Sequence, residues 1–436
     1  MKENYQVIIV GGGSAGVMVA AQLKKKNLQL DVAIIDGATE HFFRPSWPFV
    51  SAGITKLENS RKNMADVIPD GVAWIKKYVS SFVPEKNQVV TEDGAKYKYN
   101  FLVVCPGIKI DPELIEGLTD AMDKGVVCSN YTKPEHALEV LQNFQGGTAL
   151  FTQPATLIKC SGAPQKTMYL AEDLFKKTGV REQTKIVYAI PGDRVFGVER
   201  IRERLMQVID RKDINVRFFH KLVKVDGDKK IAWYKITKKW KDGLYPIKKD
   251  EKTVLDSDIQ YNYKDVEVSE KDGLFGIHFD MMYLAPPQSA PDFIRDSPLS
   301  NEHGWVAVDQ NTLQHLAYEN IFSLGDVAFL PTAKTYSAIT KQVPVVVNNI
   351  LRLINASGLP EGRYNGYSCC QIATGYGKMI WAEFDYSLKF TPNPFLRTHL
   401  LIRDSSKEHW RLWLLKRYIM PYYYWNKALK GGDIWK

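Results

Sequence analysis

At 436 residues the chain has room for two or three domains with full apolar cores, and 45% hydrophobic against 25% charged residues excludes extensive disorder. The net charge of +9 favours an anionic partner, whether nucleic acid, anionic lipid or a small anion, and its sign alone does not choose among them. Five cysteines (Cys105, Cys128, Cys160, Cys369, Cys370) without CxxC spacing exclude a disulfide scaffold and a zinc ribbon, and the lack of about 18 consecutive apolar residues excludes a transmembrane helix.

The chain starts MKENYQVIIV and runs directly into a glycine loop, which leaves no room for a signal or transit peptide. A membrane would be met from the side, and a bacterial inner membrane is the expected setting. Tyr5 to Val10 predicts a strand, Gly11-Gly12-Gly13-Ser14-Ala15-Gly16 a GxGxxG turn, and Val17 to Leu23 a helix. Gly11 permits the tight turn, Gly13 lets a pyrophosphate approach the backbone, and Gly16 lets helix and strand pack closely. Ser14 and Ala15 open the helix whose positive end faces the anion. A second strand, Asp31 to Ile35, ends at Asp36, twenty residues after Gly16, where a carboxylate accepts from a ribose hydroxyl. A glycine-rich turn that merely packs has no need of that acid, so the unit predicts an adenine dinucleotide. The stiff segment His41 to Val50, HFFRPSWPFV, is suited to line a flat ring, with Arg44 and Pro45 at the ligand, although a loop packed on the core would look similar. Tyr99 to Cys105 predicts an apolar strand closing in Cys105-Pro106-Gly107, which resembles the second backbone contact of flavoproteins; the Cys105 side chain itself reads as core.

Thr148 to Thr152 predicts a strand after which a nicotinamide-binding domain would place its own glycine loop. The chain instead reads QPATLIKCSGAP, with one glycine, which speaks against NAD(P)H as the reductant. Cys160 stands just before a helix predicted from Gln165 to Lys177 and beside Lys159, the environment that turns a thiol into a thiolate; the competing reading is a buried structural cysteine. A strand over Lys185 to Ile190 and a helix over Ile201 to Arg211 with a solvated charged face follow. Residues 226 to 275 predict a β excursion with turns at Asp242-Gly243 and Asp272-Gly273, and Phe279 to Ala285 a buried strand.

Gly304 to Asp309 alternates like a strand, and Asn320 to Leu324 leads to Gly325-Asp326, whose aspartate is placed to bind a ribityl chain. A helix from Thr335 through Lys341 to Ile354 would put its N-terminus under a flavin pyrimidine ring, with Lys341 at the cofactor. Adjacent Cys369 and Cys370 pair with each other only under strain, so a partner elsewhere is expected for one of them. From Phe395 to Lys436 there are nine Lys or Arg, three Asp or Glu and nine aromatics, the composition of a segment lying in an anionic headgroup region. A dimerisation or core-capping helix is the other reading, and a homo-oligomer is compatible with it. The positive excess sits in this tail rather than in a groove-reading motif, so no nucleic-acid partner is expected.

Taken together, GGGSAG with Asp36, HFFRPSWPFV, KCSGAPQKTMYLAE, YLAPPQSAPD, SLGDVAFLPTAKT, GYSCCQIATGYGKMIWAEFDY and the aromatic tail make the chain resemble the sulfide:quinone oxidoreductases, most of all the subgroup that includes the mitochondrial enzymes. The resemblance implies an α/β fold of two tandem Rossmann-like domains. The FAD-binding one would be discontinuous over 1–110 and 300–355, the second, without a nucleotide loop, would span 111–299, and a redox-cysteine and membrane-docking region 356–436. It implies FAD as cofactor and no metal, Cys160 as the cysteine nearest the flavin, and Cys370 as its redox partner. Hydrosulfide would attack the oxidised pair at Cys370, leaving a persulfide, and two electrons would pass through FAD to a membrane quinone. Sulfide or polysulfide, glutathione or sulfite would accept the sulfane sulfur. Arg44 departs from the glutamine expected there, Cys369 stands where the family often has another residue, and this subgroup does without a cysteine at the place of Cys128. The rival expectations are an NAD(P)H:quinone dehydrogenase of the same fold and a flavin-binding redox sensor without turnover.

Overall fold

The computed structural model describes residues 2–160, 162–237 and 266–432. Its first layer is a seven-stranded sheet in which Asn4–Val10 lies between Val32–Ile35 and Lys96–Val104, all parallel, with Val72–Ile75 beyond. The run Val7 to Val10 is buried on both faces, as a parallel strand covered on both sides requires. The chain returns to this sheet more than two hundred residues later, when Ile321–Ser323 pairs in parallel with Lys96–Val104. Helix Ser14–Lys26 follows the first strand and packs against helix Tyr336–Ile354. The close approach depends on Gly16, whose missing Cβ would sit 1.9 Å from the Gly11 carbonyl oxygen.

A second parallel sheet runs Val127–Cys128, Met281–Leu284, Gly147–Thr152, Thr184–Ala189 and Ile214–Arg217, and a four-stranded antiparallel sheet sits beside it. The predicted Asp272-Gly273 turn closes a hairpin of that smaller sheet, both residues having positive φ as a two-residue turn needs. The predicted Asp242-Gly243 turn lies outside the described residues. Gly304 to Asp309 is not a strand: it makes only isolated bridges, Val306 to Ser300 and to Ala328 and Val308 to His315. Trp305, Val306 and Val308 are held by burial in the core of the first sheet, not by ladder pairing.

The hairpin Ser368–Gly375 and Lys378–Phe384 carries Cys369 and Cys370 and packs on helix Ala163–Thr178, which follows Cys160. A buried ion cluster locks the two together. Lys212, only 5% exposed, donates at 2.5 Å to both Glu172 and Asp173 of the helix, and the other oxygen of Asp173 accepts the Tyr376 N–H at the hairpin turn. Helix Glu199–Arg211 keeps Arg200 and Arg211 about half exposed, and both also pair with Asp404 and Glu408 of the C-terminal segment. Because a buried carboxylate left without its cation is strongly unfavourable, Lys212→Met should destabilise the fold by about 3 kcal/mol, read as a lowered urea midpoint; an unchanged midpoint would show the cluster to be dispensable.

Candidate active site

A cleft of about 340 Å³, partly open to solvent, runs from the glycine loop to Cys160. That lies within the roughly 300–1,000 Å³ of ordinary ligand sites, and the span from the glycine loop to the sulfur is what suits an extended ligand. Gly12, Gly13, Ser14 and Ala15 line one end with Asp36, whose Oδ2 accepts the Gly12 N–H at 2.6 Å. A Cβ on Gly11 would meet the Cys105 carbonyl oxygen at 2.5 Å, whereas one on Gly13 would meet nothing, so the loop is closed behind and open towards the cleft. Gly11 and Gly16 thus shape the loop without lining the cleft. Cys105, Pro106, Gly107, Gly325, Asp326, Arg44 and Pro45 also line the cleft. The Arg44 guanidinium stacks over Trp47 at 4.7 Å; burial lowers its pKa and the Asp326 carboxylate opposes that shift. Of the HFFRPSWPFV segment, His41, Phe42, Arg44, Pro45, Trp47 and Pro48 line the cleft, while Phe43 and Phe49 are core. The residues present therefore fit an adenine dinucleotide extended along the cleft.

Cys160 takes up the other end in the left-handed conformation, φ 49°. Its N–H donates to the Lys334 carbonyl at 2.8 Å, and its own carbonyl accepts from Ala163 N–H and from the Tyr131 hydroxyl. The hydrogen bond with Cys370 is the largest influence holding the Cys160 thiol well below its ordinary pKa; burial opposes it, and the Lys166 ammonium, 3.0 Å from the sulfur, adds to it. Cys370 is pushed well above the ordinary thiol value by the same bond and by burial. Of the two sulfurs, Cys160 is therefore the one favoured as thiolate, with the Lys166 ammonium against it.

Lys159, favoured by its position in the sequence, interacts with Cys160 through its charge, but the ammonium that hydrogen-bonds the sulfur is Lys166. Lys159 lines the cleft, and burial, reinforced by the charge of Arg44, lowers its pKa to about 8. Lys341 also departs from expectation: its ammonium lies over the Tyr367 ring at 5.8 Å, and the helix faces the cleft through Tyr336, Ser337 and Ile339. Cys369 points the other way along its strand from Cys370, and lines the cleft beside Gln371. Cys128 is buried in the core of the second sheet.

Sequence reading missed Lys166, Lys334 and Lys416. Lys334 donates to the carbonyls of Asp326 and Ala328 and sits over Trp305, and burial lowers it to about 8. Lys416, 5% exposed, donates to Gln371 at 3.2 Å; burial and the charge of Lys166 bring it to about 7. With Lys159 and Lys166 they line the cleft with cations, of which Lys166 and Lys416 are buried, and make it attractive to anions. No cluster of metal-binding side chains is found among the described residues.

The lowered Cys160 pKa gives a directional expectation. In the reduced protein, iodoacetamide should modify Cys160 with a midpoint below the ordinary thiol range, and the thiolate should be lost only as the pH falls through that lowered value. Lys166→Met should slow the reaction at pH 7 by about tenfold, because less thiolate is present. Equal rates in the two proteins would remove Lys166 from this role.

Residues 5–146 match the pyridine nucleotide-disulphide oxidoreductase family. The mitochondrial sulfide:quinone oxidoreductase of Mus musculus is 35% identical over 99% of this chain and 87% of its own length. That of Dictyostelium discoideum is 35% identical over the same shares of the two chains. The solved structure of the sulfide:quinone oxidoreductase from Aquifex aeolicus superposes with a TM-score of 0.75 at 18% identity, covering 98% of this chain and 92% of that one, and shares the fold. The expected bacterial inner membrane gains no support, since the relatives matched along nearly the whole chain are mitochondrial by name. Among the described residues no helix is long and apolar enough to cross a membrane. By its identity to curated members along almost its full length, the chain belongs to the sulfide:quinone oxidoreductase family.

Proposed function

We propose that the chain oxidises sulfide at the Cys160 and Cys370 pair and passes two electrons through FAD to a quinone. The observation that carries this reading is the asymmetry of the pair. In thiol exchange the sulfur with the lower pKa is the better leaving group. Hydrosulfide therefore attacks Cys370 Sγ of the oxidised pair; the S–S bond breaks, Cys370 keeps the incoming sulfur as a persulfide, and Cys160 departs as a thiolate. Lys166, 3.0 Å away, holds that negative charge. A second nucleophile, whether sulfide, glutathione or sulfite, takes the outer sulfur and leaves Cys370 as thiolate. Bound FAD supplies the two-electron acceptor that lets the two sulfurs rejoin and the donor that reduces the quinone.

Gly12, Gly13, Ser14, Ala15 and Asp36 would hold the adenosine diphosphate half, and Cys105, Gly107, Gly325, Asp326, Arg44 and Pro45 the flavin half. Lys416 Nζ lies where the C-terminal segment meets the cleft, and its pKa of about 7 suits it to deliver a proton to a reduced quinone.

A peripheral membrane seat is supported by the same segment. Trp410, Leu414, Tyr418, Ile419 and Tyr422 are 41–63% exposed, while Leu412, Trp413, Leu415 and Tyr424 of the same run are buried. A core-capping helix would cover the apolar residues on one face; this one has a second apolar face turned outward, beside Arg417 and Lys427. Replacing Trp410, Tyr418 and Ile419 together by serine should weaken binding to anionic phospholipid vesicles at least about a hundredfold, and unchanged co-flotation would reject the membrane seat.

The chemistry is tested by anaerobic titration of the purified protein with sulfide. Sulfide should bleach the flavin with a long-wavelength charge-transfer band, NADH should not, and Cys160→Ser or Cys370→Ser should lower sulfide-dependent quinone reduction by about 10³ or more. Bleaching by NADH alone would favour the dehydrogenase reading, and wild-type turnover in both serine variants would overturn the cysteine mechanism.

A further inference from the structure

Tyr424 is fully buried although Tyr418, Ile419 and Tyr422 of the same segment are exposed. Its hydroxyl is 2.7 Å from Ser14 Oγ and 2.5 Å from His41 Nε2, and His41 Nδ1 is 2.9 Å from the Gly12 carbonyl. A carbonyl only accepts, so Nδ1 carries the ring's hydrogen. Burial lowers His41 to about 4, which keeps the ring neutral and leaves Nε2 an acceptor. Every direction then follows: Tyr424 donates to His41, and Ser14 donates to Tyr424. The ring of Tyr424 packs 4.3 Å from Phe43 and 5.3 Å, nearly perpendicular, from Tyr336, itself a wall of the cleft.

Both residues gripped by this chain, Gly12 and Ser14, flank Gly13, which has no neighbour within 4 Å of where a Cβ would be. The loop is thus unpacked where a pyrophosphate must approach, and its restraint comes from the two sides. A backbone anion site binds well only when its N–H groups are already aimed.

We infer that Tyr424 is a positioning residue that fastens the C-terminal segment to the glycine loop, so that retention of the flavin dinucleotide depends on how that segment is seated. The inference rests on the reading that FAD occupies the cleft. Tyr424→Phe keeps the ring contacts and removes both hydrogen bonds.

The test is FAD affinity and release measured by flavin fluorescence on holoenzyme and reconstituted apoprotein. Tyr424→Phe should raise the FAD Kd about tenfold, some 1.4 kcal/mol. Ser14→Ala should give a smaller loss, and the double variant should be no worse than Tyr424→Phe, because the two changes cut the same chain of bonds. Tyr422→Phe, at an exposed ring two residues away, should match the wild type. Wild-type affinity in Tyr424→Phe, or full addition of the two losses, would overturn the inference. Wild-type protein purifying without flavin absorbance would instead sink the FAD reading, before any variant is made.

Discussion

The site depends on where Cys160 is pinned. A non-glycine residue in the left-handed region is disfavoured by about 1–2 kcal/mol, and here three hydrogen bonds hold it there. Each bond comes from a different part of the chain: the Lys334 carbonyl, which follows the return to the first sheet; Tyr131, at the edge of the second; and the helix that starts at Ala163. One sulfur is thereby located with respect to both sheets. The other arrives on a hairpin fixed to the same helix by Lys212 and Asp173. The pair's asymmetry is a product of this convergence, since Lys166 hydrogen-bonds the Cys160 sulfur at 3.0 Å and acts on Cys370 only through its charge.

Charge placement gives the cleft its chemistry. Four lysines line it against the carboxylates of Asp36, Glu40 and Asp326, and three of the lysines are lowered mainly by burial. Lys166 differs: burial works against its charge, yet the thiolate of Cys160 leaves its pKa raised. It is the lysine committed to an ion pair, and the others contribute a field that draws anions inward and a proton that can be released near neutral pH.

The parts of the site readable in the sequence are those set by backbone geometry. Gly11, Gly13 and Gly16 recur at a spacing that a strand-turn-helix unit alone demands, and Asp36 and Gly325-Asp326 sit at strand ends whose apolar runs are plain. Cys160 stands out because a glycine loop is missing where one could have been. Side-chain partnerships across the fold are not readable in this way. Lys159 is adjacent to the cysteine but the left-handed turn sends it aside, while Lys166, six residues on, is brought back by the first turn of the helix. Lys341 lies in the predicted helix, yet the angular position that faces the cleft belongs to Tyr336, Ser337 and Ile339. The pairing of Arg200 and Arg211 with Asp404 and Glu408 is not readable either, because the partners are some two hundred residues away.

The contact between Ser14 and Tyr424 spans 410 positions and so bears on the order in which the molecule is made. The loop is made long before the group that restrains it, which follows 410 residues later. Until the segment carrying Tyr424 has been synthesised and has docked, the loop lacks the restraint on its Ser14 side, and a change in that distant segment is felt at the glycine loop.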